Sequence, residues 1–190
     1  MILHNLFIQP VACFKLKQNL KELYNFSTSL KNSRIRTNVG GFQSNDLDFL
    51  NEKKLQPFIK DLIKNANKFC KLFSFKSNLN PYIDNLWINI NGHKDFNQPH
   101  IHPNSIISGA YYINVPENSG NIVFHNNAFD LMYPLSYVKI DSFNEYNSSN
   151  WWIKPENNLL ILFPSWLKHH VEPNLSNKKR ISISFNILLK

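Results

Sequence analysis

A chain of 190 residues with 43% hydrophobic and 18% charged side chains has enough apolar surface to offset the entropy of ordering, which excludes wholesale disorder and fits one ordinary domain. Five glycines exclude collagen-like and glycine-rich phosphate-loop architectures, and neither G-x-G-x-x-G nor G-x-x-x-x-G-K-[ST] occurs. The formal net charge of +8 points toward anionic partners, but Lys and Arg are scattered over the first eighty residues and read as solvated surface rather than as a nucleic-acid face.

Residues 3–16 are rich in β formers and predict an outer strand or two. Asn19 to Leu30 reads as a short helix carrying Leu20, Leu23, Tyr24 and Phe26, and the polar stretch from Asn32 to Asp46 holds the turn-forming pair Gly40-Gly41. From Leu50 to Phe73, the positions Leu55, Phe58, Ile59, Leu62, Ile63, Ala66, Phe69 and Cys70 keep the spacing of an amphipathic helix, with Lys60, Lys64 and Lys68 on its wet face. After Asn80-Pro81, short runs rich in Ile, Val, Tyr and Phe alternate with Asn, Pro, Ser and Gly, so the second half reads as all β.

The longest apolar runs, such as Leu159 to Pro164, are strand-sized and far short of the roughly 20 residues that cross a bilayer, so no membrane partner is expected. Cys13 and Cys70 fall in different predicted elements and the first residues lack the pattern of a signal peptide, which predicts a reducing cytoplasm. With no linker and no internal repeat, one domain over 1–190 is expected, with 1–80 supplying helical support and outer strands and 81–190 a β core that carries the site. The predicted architecture is mainly β, a jelly roll with the N-terminal helices packed on its outside, because an amphipathic helix needs an apolar sheet face to cover.

Alternation gives the first hint of chemistry. In the run from Arg180 to Asn186, the residues Arg180, Ser182, Ser184 and Asn186 share one face, while Ile181, Ile183, Phe185 and Ile187 share the other. The polar face suits an edge strand wetted by solvent or a cavity wall on which Arg180 grips a carboxylate. His100 and His102 stand two apart, so an extended chain projects both to one face, and His169 or His170 arrives from a later strand. Three imidazoles from two strands would make one face of an octahedral metal site with open positions. The cysteines lack neighbouring His or Asp patterning and read as packing residues.

The ordered series Trp87-x-Asn89, His100-x-His102-Pro103, Ser108-Gly109-x-Tyr111-Tyr112, Phe163-Pro164-Ser165-Trp166-Leu167-x-His169-x-Val171-x-Pro173 and Arg180-x-Ser182-x-Ser184-Phe185-Asn186 resembles the Fe(II)/2-oxoglutarate-dependent oxygenases of bacteria and phages, in the branch similar to prolyl hydroxylases. The resemblance covers roughly residues 85 to 187. It implies a double-stranded β-helix and a hydroxylase that uses Fe(II) and 2-oxoglutarate, releases succinate and CO2, and acts on an unidentified small molecule or peptide. The compartment would be the host cytoplasm if the chain is phage-encoded. It further implies His100, His102 and His169 as metal ligands, Arg180 as the clamp on the distal carboxylate of 2-oxoglutarate, and Ser182 and Tyr112 as its hydrogen-bonding helpers. Trp87, Asn89 and Asn186 are read as pocket wall or substrate contacts.

This sequence departs from the wider superfamily where His102 stands, since most members carry a carboxylate there. Three neutral imidazoles change the charge of the site by one unit, which keeps open a cupin-like barrel that binds metal or a small ligand without oxygenase turnover. A literal His-x-Asp, His93-Lys94-Asp95, lies just upstream as an alternative pair. His170 is expected to face away from His169, and His125 to end a strand near the pocket mouth.

Overall fold

The computed structural model describes residues 1–128, 134–135 and 137–190. Eleven strands are assigned among these: β1 (Ala12–Lys15), β2 (Asn38–Val39), β3 (Phe42–Gln43), β4 (Pro81–Asn91), β5 (Phe96–His100), β6 (Ile107–Asn114), β7 (Ile122–His125), β8 (Asn150–Ile153), β9 (Leu159–Pro164), β10 (His169–Val171) and β11 (Arg180–Leu189). They form a six-stranded sheet in the order β1-β9-β6-β11-β4-β3 and a five-stranded sheet in the order β2-β5-β10-β7-β8. Successive strands from β4 onward cross between the sheets, except at the β7–β8 pair, and every named pairing is antiparallel. This is the two-sheet jelly roll expected from the strand texture, and it leaves a space between the sheets.

Helix α1 (Leu20–Ser29) starts where Asn19 caps it, the Asn19 side-chain oxygen accepting from the backbone N–H of Glu22. Helix α2 (Gln56–Cys70) follows a single 3₁₀ turn at Lys53–Leu55 and has Pro57 in its first turn, where a missing N–H costs nothing. Its buried stripe of Phe58, Leu62, Ala66 and Phe69 packs on the outer face of the larger sheet. There it meets Ile88, Tyr111, Leu160, Ile183 and Phe185 in the main core. A second, smaller cluster lies between the sheets, where Ala110, Tyr112 and Phe163 face Ile122 and Phe124. Lys60, Lys64 and Lys68 are exposed on the far side of α2.

The expected outer strand near the N-terminus is present but short, and the polar stretch after α1 adds strands that were not expected. Of residues 3–16 only Ala12–Lys15 pair, against Leu159 to Leu162, and residues 1–9 are exposed. Continuing that register would set Pro10 opposite Pro164, and neither proline has an N–H to donate to the ladder. The polar stretch 32–46 forms the short strands β2 and β3, which extend one edge of each sheet through β5 and β4. Among the described residues no helix is long and apolar enough to cross a membrane.

Candidate active site

The pairing of β5 with β10 sets His100 directly opposite His169. Strand β5 ends at His100, so His102 lies beyond the strand, but its backbone N–H donates to Ser165 at 2.9 Å and the chain stays beside the loop after β9. The three rings converge: potential ligand atoms of His100, His102 and His169 all lie within 4.8 Å of one another. His102 Nε2 and His169 Nε2 are 3.3 Å apart.

Protonation of the cluster follows from its neighbours. His100 Nδ1 donates to the carbonyl of Gln98 at 2.6 Å, and His169 Nδ1 to that of Leu167 at 2.9 Å. A carbonyl only accepts, so in each ring the proton sits on Nδ1 and Nε2 keeps its lone pair. Burial lowers the pKa of His100, pushes that of His102 down to about 3 with further help from His100, and holds His169 well below the ordinary range. All three rings are therefore neutral near pH 7, the state that ligates metal. Two ring nitrogens 3.3 Å apart need a proton or a cation between them, and this donor set suits a divalent first-row metal.

Across the cavity stands Arg180, 1% exposed, brought there by the first residue of β11. Its Nη1 donates to the carbonyl of Ser119 and, at 3.1 Å, to that of Glu172. Its Nη2 is buried without a hydrogen-bond partner, and no ion pair to it is present among the described residues. A buried cation held by two carbonyls, with one nitrogen free, is costly unless an anion joins it. This fits the distal carboxylate of a dianionic co-substrate. Arg180, Ser182 and Tyr112 line the same cavity as the three histidines. Tyr112 and Ser182 are register partners on β6 and β11, and burial raises the Tyr112 hydroxyl to about 12, so it is a neutral donor.

Trp87 and Asn89 line this cavity as well. Trp87 stacks on His102 with ring centroids 5.9 Å apart. Asn89 donates to Ser184 at 2.9 Å, and its side-chain oxygen is buried without a partner. Asn186 and His102 both line a neighbouring cleft. Tyr111, which alternation turns away, packs on Phe58 in the main core.

His93 and Asp95 lie in the turn between β4 and β5, outside the three-histidine group. His93 is exposed, and Asp95 accepts from the Gly92 N–H at 2.7 Å. A Cβ on Gly40 would overlap the Asp95 carboxylate, so this side chain is wedged into the Gly40-Gly41 turn, where φ is +68° and +64°. His170 turns away from His169 and meets His125 at 2.9 Å. Sequence reasoning missed Thr37, Asn97 and Gln43, which line the two cavities. They come from or next to β2, β3 and β5, of which the first two are only two residues long and the third is mostly polar, so none carries a strand period. Asn85 and Asn91 were within reach, since they continue the alternation of Trp87 and Asn89.

Comparison with known proteins agrees with this geometry. The fold is similar to that of a Pseudomonas putida prolyl-4-hydroxylase, at 13% identity over 94% of this chain and 92% of that one, with a TM-score of 0.61. It is also similar to a viral collagen prolyl hydroxylase from Paramecium bursaria Chlorella virus-1 in its 2-oxoglutarate complex, at 13% identity, 93% and 94% coverage and a TM-score of 0.57. A third likeness is to HygX from Streptomyces hygroscopicus with nickel and 2-oxoglutarate bound, at 9% identity, 94% and 82% coverage and a TM-score of 0.60. No curated protein matches in sequence. The family described as "Putative 2OG-Fe(II) oxygenase" matches residues 85–186, the span from β4 to β11 that holds the three histidines and the free guanidinium nitrogen. On that match the chain belongs to the 2OG-Fe(II) oxygenases, enzymes that use iron and 2-oxoglutarate.

Proposed function

We propose that this enzyme hydroxylates a C–H bond of a polar substrate, with His100, His102 and His169 holding Fe(II) and Arg180 anchoring 2-oxoglutarate. The observation that carries this reading is the Arg180 Nη2, buried and unpaired in the cavity that the three histidines line. When bound, Fe(II) and 2-oxoglutarate supply the O2 chemistry that yields succinate, CO2 and an oxygen atom for the substrate. The protein's own residues supply placement. Arg180 takes the distal carboxylate, the Tyr112 hydroxyl and Ser182 donate hydrogen bonds beside it, and Ala110, Ile122 and Phe163 exclude water from the inner wall.

The substrate, a small molecule or a peptide segment, would occupy the neighbouring cleft, which opens beside His100 and His102. Gln43 lines that cleft with its side-chain oxygen buried and unpaired, so the substrate is expected to bring an N–H or O–H donor to it. A reducing, cytoplasmic setting is part of the same reading, supported by Cys13 and Cys70, which are both free.

Anaerobic titration of 2-oxoglutarate into the Fe(II)-loaded protein tests the reading. Arg180→Ala should weaken binding by roughly 2 to 5 kcal/mol, the cost of leaving a buried anion unpaired. Arg180→Lys should recover little, because a point charge replaces a planar fork. Unchanged affinity in Arg180→Ala would sink the assignment.

A further inference from the structure

The larger sheet carries two hydrogen-bond acceptors that the fold leaves open. Gln43 on β3 stands opposite Asn89 on β4 in the register, so the two side chains leave the sheet on one face and side by side. Gln43 is 2% and Asn89 6% exposed, yet Gln43 Oε1 and Asn89 Oδ1 are both buried without a hydrogen-bond partner. Asn89 Nδ2 is already given to Ser184 Oγ at 2.9 Å, which leaves the oxygen as the open end of that amide. Each open acceptor costs free energy until a donor arrives. A neighbouring pair of them is met by one group with two N–H bonds.

The place of the pair ties it to the chemistry. Gln43 lines the outer cleft and Asn89 the inner cavity, and these two spaces share Thr37, Trp87, His100 and His102. A group held by the pair therefore sits at the junction, beside the histidines. Charge then selects among nitrogen donors. Arg36 lines the cleft and Arg180 the cavity, and the metal expected at the histidines adds two more positive charges. Against these, Asp84 is the one carboxylate lining either space among the described residues. An ammonium or guanidinium would be repelled there, whereas a neutral NH2 would not. Thr37 supplies the complement. Its Oγ1 accepts a long hydrogen bond from Asn97 Nδ2 at 3.5 Å, and its own proton is free for a carbonyl.

We infer that the substrate presents a primary carboxamide: its two N–H bonds go to Gln43 Oε1 and Asn89 Oδ1, and its carbonyl takes the Thr37 hydroxyl. The inference rests on the oxygenase reading of the site and narrows its substrate. A small amide and the side chain of an asparagine or glutamine in a peptide offer the same group.

The protein loaded with Zn(II) and 2-oxoglutarate holds the site without turnover, and ligand-observed NMR then reads weak binding. The small probes are butyramide, N,N-dimethylbutyramide, butyrate, butylammonium and 1,2-butanediol. The peptide probes are N-acetylglutamine N-methylamide and its glutamate counterpart. Butyramide, the glutamine probe or both should bind about 10-fold or more tightly than their counterparts, which leave the acceptors unpaired. Which of the two amides binds tighter identifies the source. The preference should disappear in Gln43→Met and in Asn89→Leu, with folding checked by circular dichroism. If one variant does not fold the other decides, and the wild-type panel decides if neither folds. Equal binding of the dimethyl amide, a preference for the cation, the anion or the diol, or no binding of either amide would overturn the carboxamide assignment. So would an unchanged preference in a folded variant. Calorimetry of 2-oxoglutarate with the Zn(II) protein separates the two levels. If 2-oxoglutarate does not bind, the oxygenase reading fails and the inference falls with it. If it binds and the amides show no preference, only the carboxamide is overturned.

Discussion

At the scale of single residues, the site is a set of polar groups largely withdrawn from solvent by the fold itself. Burial costs the charged form of an imidazole, so His102 falls to about 3 and His100 and His169 also lie below the ordinary value. In the unfolded chain the same rings titrate near 6.5, by the usual reference. As pH falls through that value the unfolded state takes up protons that the folded state refuses, so stability is present above about pH 6.5 and is lost progressively below it. The metal-free protein should therefore unfold at lower urea concentration at pH 5 than at pH 7.5. A variant with all three histidines changed to Gln should show a shallower decline. An equal midpoint at the two pH values would contradict the burial of neutral rings.

At the scale of elements, β6 and β11 do two jobs with alternate side chains. Ile181, Ile183, Phe185 and Ile187 close the core under the helices, while Arg180, Ser182 and Ser184 line the cavity. Gly109 is what lets β6 lie this close to its neighbours, since a Cβ there would overlap the carbonyl of Ile161 on β9 and the ring of Phe185 on β11. Gly109→Ala should destabilise the protein by about 1–3 kcal/mol, the usual cost of overpacking. Urea unfolding measures this, and an unchanged midpoint would show that the sheet yields freely. The strand alternation of β11 was legible in the sequence because each residue has one fixed face. The strands β2 and β3 were not, because a strand of two residues, Asn38–Val39 or Phe42–Gln43, is too short to show a period of its own.

At the scale of the whole molecule, the jelly roll brings the histidine cluster of one sheet to face the buried guanidinium of the other. His100 and His169 come from the five-stranded sheet and Arg180 from the six-stranded sheet, so the cavity exists only where the two sheets pack. The spacing of His100, His102 and His169 and the ordered motifs around them made this convergence legible before any coordinates. What stayed hidden was long-range: that His102 would lie beyond its strand with its backbone N–H on the carbonyl of Ser165, and that Asp95 would be taken up by the Gly40-Gly41 turn. Contacts between residues 55 or more positions apart leave no mark on local composition.

The central claim is that three neutral imidazoles, with charge supplied by the co-substrate, support oxygenase chemistry here. It is tested most directly by measuring succinate after the protein, loaded anaerobically with Fe(II) and 2-oxoglutarate, is exposed to O2. The account predicts slow succinate formation by wild type even without the substrate, above the rate of free iron, and a fall to that rate in Arg180→Ala. His102→Asp, which restores the common charge, should retain metal. A wild-type rate no higher than that of free iron, with 2-oxoglutarate demonstrably bound and candidate substrates present, would contradict the account and favour a barrel that binds metal without turnover.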